Sequence, residues 1–512
     1  MKKTNMIYAL LLTGAFASCQ KNEVSNLQEN TKDRVNFTLS ASSDGPTFRT
    51  GHADGEGKLA VTWEKGDKIG LFSVVGTETK NANAAFSILE DSDITEAGKK
   101  ADFSGEISLS GDWNMDFYTY YPYTIGKNDP KKIAVSVADQ VIDGKESKHL
   151  AKYDVLIADP VKGVKAGDEN TSLNFKHIMA IADLNISLPA GAESEQVKQI
   201  RIQRADGALI ATGGTLDITA EAETDRLTVS STAEQQSWTQ ITKVENVNLA
   251  AGESFHARVA LIPADWSSET ISIFVDTDKG TYQFDKINIK AEAGKRYNSS
   301  LVLENKVPVA VGDYYYADGT WSTEIDANKT VVGVVGYVGQ KGGASNGYVV
   351  SLEDVNNGLK GKLSLFNIPE ISGTQNSAQG EDWDGQAHTR AVAAKRTEDG
   401  YKDMNFILQS VDYAPANIIN GPAAQGNWYT PAVGQLTLVA ENYAFIQSRL
   451  LAISADGIAG GQRYWSSTEV GTDDPESVAA KRNVRYVIIS TSSAGFATST
   501  STTYPVRPYL SF

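Results

Sequence analysis

A mainly β fold, with two tandem β-sandwich domains followed by an α+β segment, is predicted by three features of the sequence. Apolar and polar residues alternate in short runs separated by Gly, Asp and Asn clusters, the period of strands with one buried face. That style persists to about residue 305. There Lys306-Val307-Pro308-Val309 marks a change: glycine rises, Trp321, Trp383, Trp428 and Trp465 appear, and a helical period enters. The length, 512 residues, corresponds to about three domains at ~150 residues each.

In chain order, the first residues read as an export signal. Met1-Lys2-Lys3 is basic, Met6 to Ala17 is apolar, and Phe16-Ala17-Ser18-Cys19 closes the run with small residues and a cysteine. The apolar run falls short of the ~20 residues that a membrane span requires, and it fits a signal h-region. Cys19 is the single cysteine of the chain. Its setting resembles a bacterial lipobox, with Phe16 where Leu or Val is usual, and this implies acylation of Cys19 after removal of residues 1–18. Acyl chains contribute ~0.8 kcal/mol per buried methylene, enough for stable attachment to the outer membrane. With that thiol acylated, disulfide, metal-thiolate and cysteine-nucleophile chemistry have no residue to use.

The formal charge of the full chain is −16. Loss of Lys2 and Lys3 with the signal leaves 45 basic against 63 acidic residues, or −18. Such a field opposes nucleic acid as a partner. Residues 19–33 are polar, without period, and read as a tether.

From Arg34 the period is two, with Val35, Phe37 and Leu39 on one face of a first strand. Leu59 to Trp63, Ile69 to Val75, Phe117 to Tyr121 and Ile133 to Val137 continue it, giving a first domain over 34–160. Ile178 to Leu188, Phe255 to Leu261, Ile271 to Val275, Tyr282 to Phe284 and Leu301 to Leu303 give a second, over 161–305. Short strands with turn signals at this spacing favour sandwiches. In the segment 306–512, Leu436, Val439, Tyr443, Ile446 and Leu450 follow Pro431 at three- and four-residue steps, predicting one amphipathic helix over 433–453. Strands are expected at 330–338, 348–352, 484–490 and 504–512.

Several landmarks fall in order: Phe48-Arg49-Thr50, Trp63-Glu64-Lys65-Gly66-Asp67-Lys68-Ile69-Gly70-Leu71-Phe72, Tyr118 to Pro122, Tyr153-Asp154-Val155-Leu156, Leu173 to His177 and Gly294-Lys295-Arg296-Tyr297. Over residues 34 to 305 they resemble the fimbrillin (Mfa-like) family of Bacteroidetes lipoprotein pilins. The resemblance implies Greek-key, transthyretin-like sandwiches, export to the cell surface as a lipoprotein, and cleavage by an arginine-specific protease. It also implies assembly with other fimbrillin subunits by β-strand addition. Cleavage at Arg49 would detach the whole first strand; cleavage at Arg34 would release only the tether. Taken locally, Trp63 to Asp67 is a strand running into a glycine turn, and His177 is a structural histidine.

Asn427 to Leu436, Tyr464 to Glu469 and Val506-Arg507-Pro508 resemble bacterial surface domains related to C-type-lectin-like and formylglycine-generating-enzyme folds. Gln435 stands where Glu is usual and Thr430 where an apolar residue is usual. The enzymatic branch depends on cysteines, which are missing here. The lectin-like branch implies long binding loops, and two acidic stretches suit one: Glu381 to Gly385, with Asp382, Trp383 and Asp384, and Gly471 to Glu476, with Asp473 and Asp474. Their carboxylates suit calcium and Trp383 suits stacking on a sugar ring; as solvated turns they would do neither.

The catalytic patterns in the sequence lack the context that their chemistry needs. Gly343-Ala344-Ser345-Asn346-Gly347 matches a nucleophile elbow, but β-like runs flank it on both sides where the chemistry needs a following helix, so it reads as a hairpin loop. Asp276-Thr277-Asp278-Lys279-Gly280 lacks the length and closing Glu of a calcium loop and reads as a hairpin turn. Histidines 52, 149, 177, 256 and 388 show no metal-ligand spacing. The expectation is a non-enzymatic tip or minor fimbrial subunit with no cofactor and no metal, whose C-terminal domain binds a host or bacterial glycan or protein. The tip position is expected because Tyr504 to Phe512 looks built into that domain, leaving no strand to donate. A lipid-anchored surface protein that binds or processes glycans without polymerising is the alternative.

Overall fold

The computed structural model describes residues 34–43, 62–108, 114–165, 168, 170–229, 232, 235–355, 382–398, 401, 404–458, 461–469, 483–498 and 504–512. Strands dominate, as alternation predicts. Among the described residues no helix is long and apolar enough to cross a membrane.

The first strand, Arg34–Ser43, is paired along both edges. It runs antiparallel to Lys100–Ser108, from Arg34 opposite Ser108 to Ser42 opposite Lys100. It runs parallel to Asn170–His177, from Thr38 opposite Asn170 to Ser43 opposite Phe175. From there the pairing passes through Leu156–Ala158, Met115–Tyr121, Lys68–Val75 and Glu78–Ser87, and returns to Lys100–Ser108 through Ser87 opposite Ser104. Seven strands thus form a closed circuit. The alternation fills it: Phe37, Leu39 and Ala41 join Trp63, Leu71, Phe103, Phe117, Leu173 and Phe175 in one buried cluster. Trp63 meets Phe103, Tyr121 and Phe175 edge to face at 5.1, 5.5 and 5.7 Å, an arrangement that adds ~0.5–1.5 kcal/mol per pair beyond burial.

Thr62 and Trp63 lie outside any strand, and the start of the run expected at Leu59 falls outside the described residues. Trp63 donates its main-chain N–H to Gly98 and leads into a turn where Gly66 has φ +91°, a conformation that glycine adopts without steric cost.

The second β unit pairs Ala180–Ser187 antiparallel with Ser254–Leu261 and parallel with Arg296–Val302. Facing it is a sheet ordered Gly280–Ala291, Ala264–Thr277, Glu195–Arg204, Thr239–Glu245, Gln140–Asp143. Ala180, Ala182, Leu184 and Ile186 point into the core between these sheets, with Ile200, Ile202, Ile273 and Val275 opposite. Ile133–Ser136 and Gln140–Asp143, read in sequence as part of the first unit, pair with Gly213–Leu216 and Thr239–Glu245 of the second. A third apolar cluster, with Phe72, Tyr118, Ile157, Ile181, Leu216 and Ala260, welds the two units together. His177 is structural: buried, with its ring nitrogen 2.9 Å from Asp154.

The C-terminal segment carries a five-stranded sheet, ordered Trp321–Ser322, Tyr314–Tyr316, Val331–Val338, Gly347–Ser351, Tyr509–Ser511, and a three-stranded sheet over Arg463–Glu469, Asn483–Ile488 and Ser493–Thr498. The single helix expected over 433–453 is two, Val433–Ala440 and Tyr443–Ala452. The first packs chiefly on Arg463–Glu469 and Asn483–Ile488 and touches Val331–Val338, against which the second packs. The axis breaks at Glu441-Asn442, between a helix that lies mainly on the three-stranded sheet and one that lies on the five-stranded sheet. The apolar steps continue through the break because Leu436, Val439, Ile446 and Leu450 all enter one core.

Phe37→Ala should lower the free energy of unfolding by about 3–5 kcal/mol, the cost of an emptied aromatic site. Asn36→Ala, on the exposed face of the same strand, should cost less than about 0.5 kcal/mol. Urea denaturation of the two variants measures this, and equal losses would contradict the inward placement of Phe37.

Candidate functional site

Two places gather chemistry-bearing residues: the seat of the first strand, and the junction between the second β unit and the C-terminal segment. In the seat, Phe37 meets Phe117 edge to face at 5.5 Å. Ser40 donates to the Asp102 carboxylate at 2.5 Å, and Ser42 donates to the Leu173 carbonyl at 3.4 Å. The strand therefore holds its neighbours by main-chain pairing on two edges, an apolar face and two hydroxyls. Arg34 opens it. Cys19 and Arg49 lie outside the described residues.

Of the loop residues singled out in the sequence, Asp473 and Asp474 also lie outside the described residues. Asp382 is buried: its carboxylate accepts from Thr468 Oγ1 at 2.6 Å and from the Asp384 N–H at 3.1 Å, and its carbonyl accepts from the Gly434 N–H. His388 Nδ1 stands 3.8 Å away. The Asp382 main-chain carbonyl thus holds the start of the Val433–Ala440 helix, while its carboxylate is held inside by Thr468 and Asp384 and does not face solvent. Trp383 is half-buried under the Lys341 ammonium, 4.3 Å from the ring, and Asp384 is exposed at the head of the Gly385–Ala394 helix. Among the described residues, no group of three or more His, Cys, Asp or Glu side chains is placed to hold a metal ion.

The residues behind the C-terminal resemblance are scaffold. Gln435 accepts from the Ala432 N–H and donates to Tyr429 Oη. Arg507 is buried, 2.7 Å from Asp354, and donates to the carbonyls of Ser351, Asp456 and Gly457. Gly343 to Gly347 is the loop between paired strands, as read in the sequence. The main-chain oxygen of Phe512 accepts the N–H groups of Ser345, Asn346 and Gly347, so the Tyr509–Ser511 strand is pinned beyond its pairing with Gly347–Ser351.

At the junction, Arg201 is buried and makes a two-toothed contact with Asp276, Nε at 2.8 Å and Nη2 at 3.1 Å, while Nη1 donates to the Gly319 carbonyl. Phe274 lies under the guanidinium at 4.5 Å. Asp276 also accepts from Gln199 and Thr281. Burial alone would raise the Asp276 carboxyl, but the Arg201 charge and these donors outweigh it and hold it below the ordinary range. Thr281 in turn accepts from Asn346. Sequence reading missed Arg201 because it alternates with Ile200 and Ile202 as a solvent-facing residue does; only the packed C-terminal segment buries it.

The sequence profile described as fimbrillin-like matches residues 53–332, more than half of the chain. The chain belongs to the fimbrillin-like family. The match takes in the second β unit, the first unit apart from its Arg34–Ser43 strand and, with Arg201 and Gly319, both sides of the junction. No curated protein matches. Among solved structures, a fimbrial protein from Bacteroides ovatus is similar at 17% identity, covering 94% of this chain and 100% of its own, with a TM-score of 0.38. A cell adhesion protein from the same organism is similar at 17% identity, over 53% of this chain and 94% of its own, with a TM-score of 0.38. One from Bacteroides uniformis is similar at 18% identity, over 52% and 93%, with a TM-score of 0.34.

In this fimbrillin, Arg201→Met should cost about 3–5 kcal/mol, because it leaves Asp276 charged and buried without its partner. The double variant Arg201→Met/Asp276→Leu should recover most of that loss. Chemical denaturation of the three proteins provides the comparison; equal stability of the single variant and the parent would show that the pair is solvated.

Proposed function

We propose that the chain is a fimbrial subunit of the tip or minor type, exported to the cell surface as a lipoprotein on Cys19 and cut at Arg49. It then joins other subunits through a strand that replaces residues 34–43. The observation that carries this reading is the double-edged seat of Arg34–Ser43. Removal of that strand bares main-chain donors and acceptors on Lys100–Ser108 and Asn170–His177 together with an apolar trough left by Phe37, Leu39 and Ala41. Each large apolar side chain reburied returns ~1.5–3 kcal/mol, and each re-formed hydrogen bond ~0.5–1.5 kcal/mol. An incoming strand with alternating apolar residues recovers both.

The cut matters because an attached strand competes at high effective concentration and wins against a strand from solution. Severed at Arg49, it holds its seat only by its own contacts. Arg34 is the weaker candidate, since cleavage there leaves Arg34–Ser43 attached to the fold.

The tip or minor position is supported by Tyr509–Ser511, which is already committed to the C-terminal sheet. The layout we propose is a fimbrillin pair of Greek-key sandwiches, residues 34–160 and 161–305, followed by a lectin-like α+β domain, 306–512, that faces outward and adheres to a glycan or protein. In its described acidic loop Asp384 is exposed and Trp383 half-buried.

Arg49→Ala separates this reading from a permanently anchored surface protein. Loss of fimbrial incorporation, with the uncut precursor kept at the outer membrane, is the expected result, read by immunoblot of sheared fibres. Normal incorporation of the variant would overturn maturation at Arg49.

A further inference from the structure

The second β unit and the C-terminal segment enclose a cavity of about 410 Å³ above the Arg201–Asp276 pair. Its size falls within the ~300–1,000 Å³ of small-molecule sites, which concentrate where structural units meet. Three properties of its lining define what fits. Trp321 and Phe512, ring centroids 5.1 Å apart and packed edge to face, supply an apolar wall. Gln386 and Asn427 add side-chain amides. The charged lining is basic, with Lys198, Arg201, Lys243 and Arg390 against Glu245 and Asp276. The balance stays positive when a carboxylate on Phe512 is counted.

That balance stands out in a chain of formal charge −16. Arg201 and Asp276 neutralise each other in their paired geometry. Lys243 and Arg390 are exposed and make no ion pair among the described residues, so their charges face the cavity mouth unopposed except by Glu245. Cations at the rim of a concave, low-dielectric site focus attraction on anions. An aromatic wall with amides beside it suits the apolar face and hydroxyls of a sugar ring.

The geometry points to a binding site for a carboxylated sugar, a pyranose bearing one acidic group, at this junction. The inference rests on the adhesive reading of the C-terminal segment and deepens it by naming the ligand class. The ring lies against Trp321 and Phe512, its hydroxyls reach Gln386 and Asn427, and its carboxylate is held by Lys243 and Arg390. Because both structural units contribute, the site exists only while the Arg201 contact holds them together.

Calorimetry on the full mature chain, with a galacturonate tetrasaccharide as probe and neutral maltotetraose as control, tests it. Saturable binding of the acidic probe is expected, with none of the neutral one. Lys243→Ala/Arg390→Ala, two exposed positions whose loss leaves the fold intact, should weaken binding at least tenfold. Absence of binding to the acidic probe, or equal binding by the double variant, overturns the site. Adhesion of fimbriated cells to host mucin, measured alongside, reports on the adhesive reading separately. Adhesion that the double variant leaves unchanged overturns the cavity and keeps that reading. Adhesion no greater than that of cells lacking the chain overturns both.

Discussion

A β-sheet has to dispose of its edges, and in the N-terminal unit residues 34–43 do this. Arg34–Ser43 lies between Lys100–Ser108 and Asn170–His177 and completes a circuit of seven strands. With it in place both of its neighbours are paired along the edges that face it, and the aromatic core around Trp63 is covered. Without it two edges and an apolar trough open together. The same ten residues are a structural strand here and, in the function proposed above, the piece that another subunit's strand replaces.

The remainder of the molecule is tied together by shared elements. Gln140–Asp143 lies in sequence before the second β unit yet forms the edge of its larger sheet, and one apolar cluster draws on both units. Farther on, Arg201 reaches from the Glu195–Arg204 strand to Gly319, and Asn346 reaches back to Thr281. A glycine at 319 is needed there, because a Cβ would sit 2.7 Å from the guanidinium and 2.6 Å from Pro422. Force applied at one end of such a subunit would pass through packed interfaces as well as through linkers, which suits a component of a surface fibre.

Much of the fold was legible because strands with one buried face leave a period of two. Phe37 and Leu39, Leu184 and Ile186, and Ile271 and Ile273 all point inward as their spacing predicts, and the turns at Asp276 to Gly280 and Gly343 to Gly347 fall between paired strands. What alternation does not encode is which strand pairs with which, so the destination of residues 133–143 was hidden. Helical period likewise records a buried face and not the direction of the axis, so the break at Glu441-Asn442 leaves no mark in it. At the candidate sites, composition was a weaker guide than burial. Asp382 looks like a surface carboxylate in an acidic loop, yet it is held inside by Thr468 and Asp384. Arg201 looks like a solvent-facing residue and is the centre of the junction. Both depend on segments far away in sequence that local pattern cannot bring together.

The central claim is that the seat of residues 34–43 accepts a strand from outside. Its most direct test is the chain beginning at Thr50, mixed with a synthetic peptide of residues 34–43 and followed by Trp63 fluorescence and thermal unfolding. The account predicts one-to-one uptake of the peptide, a blue shift as Trp63 is resealed, and recovery of most of the lost melting temperature. A truncated chain as stable as the precursor, taking up no peptide, would contradict it.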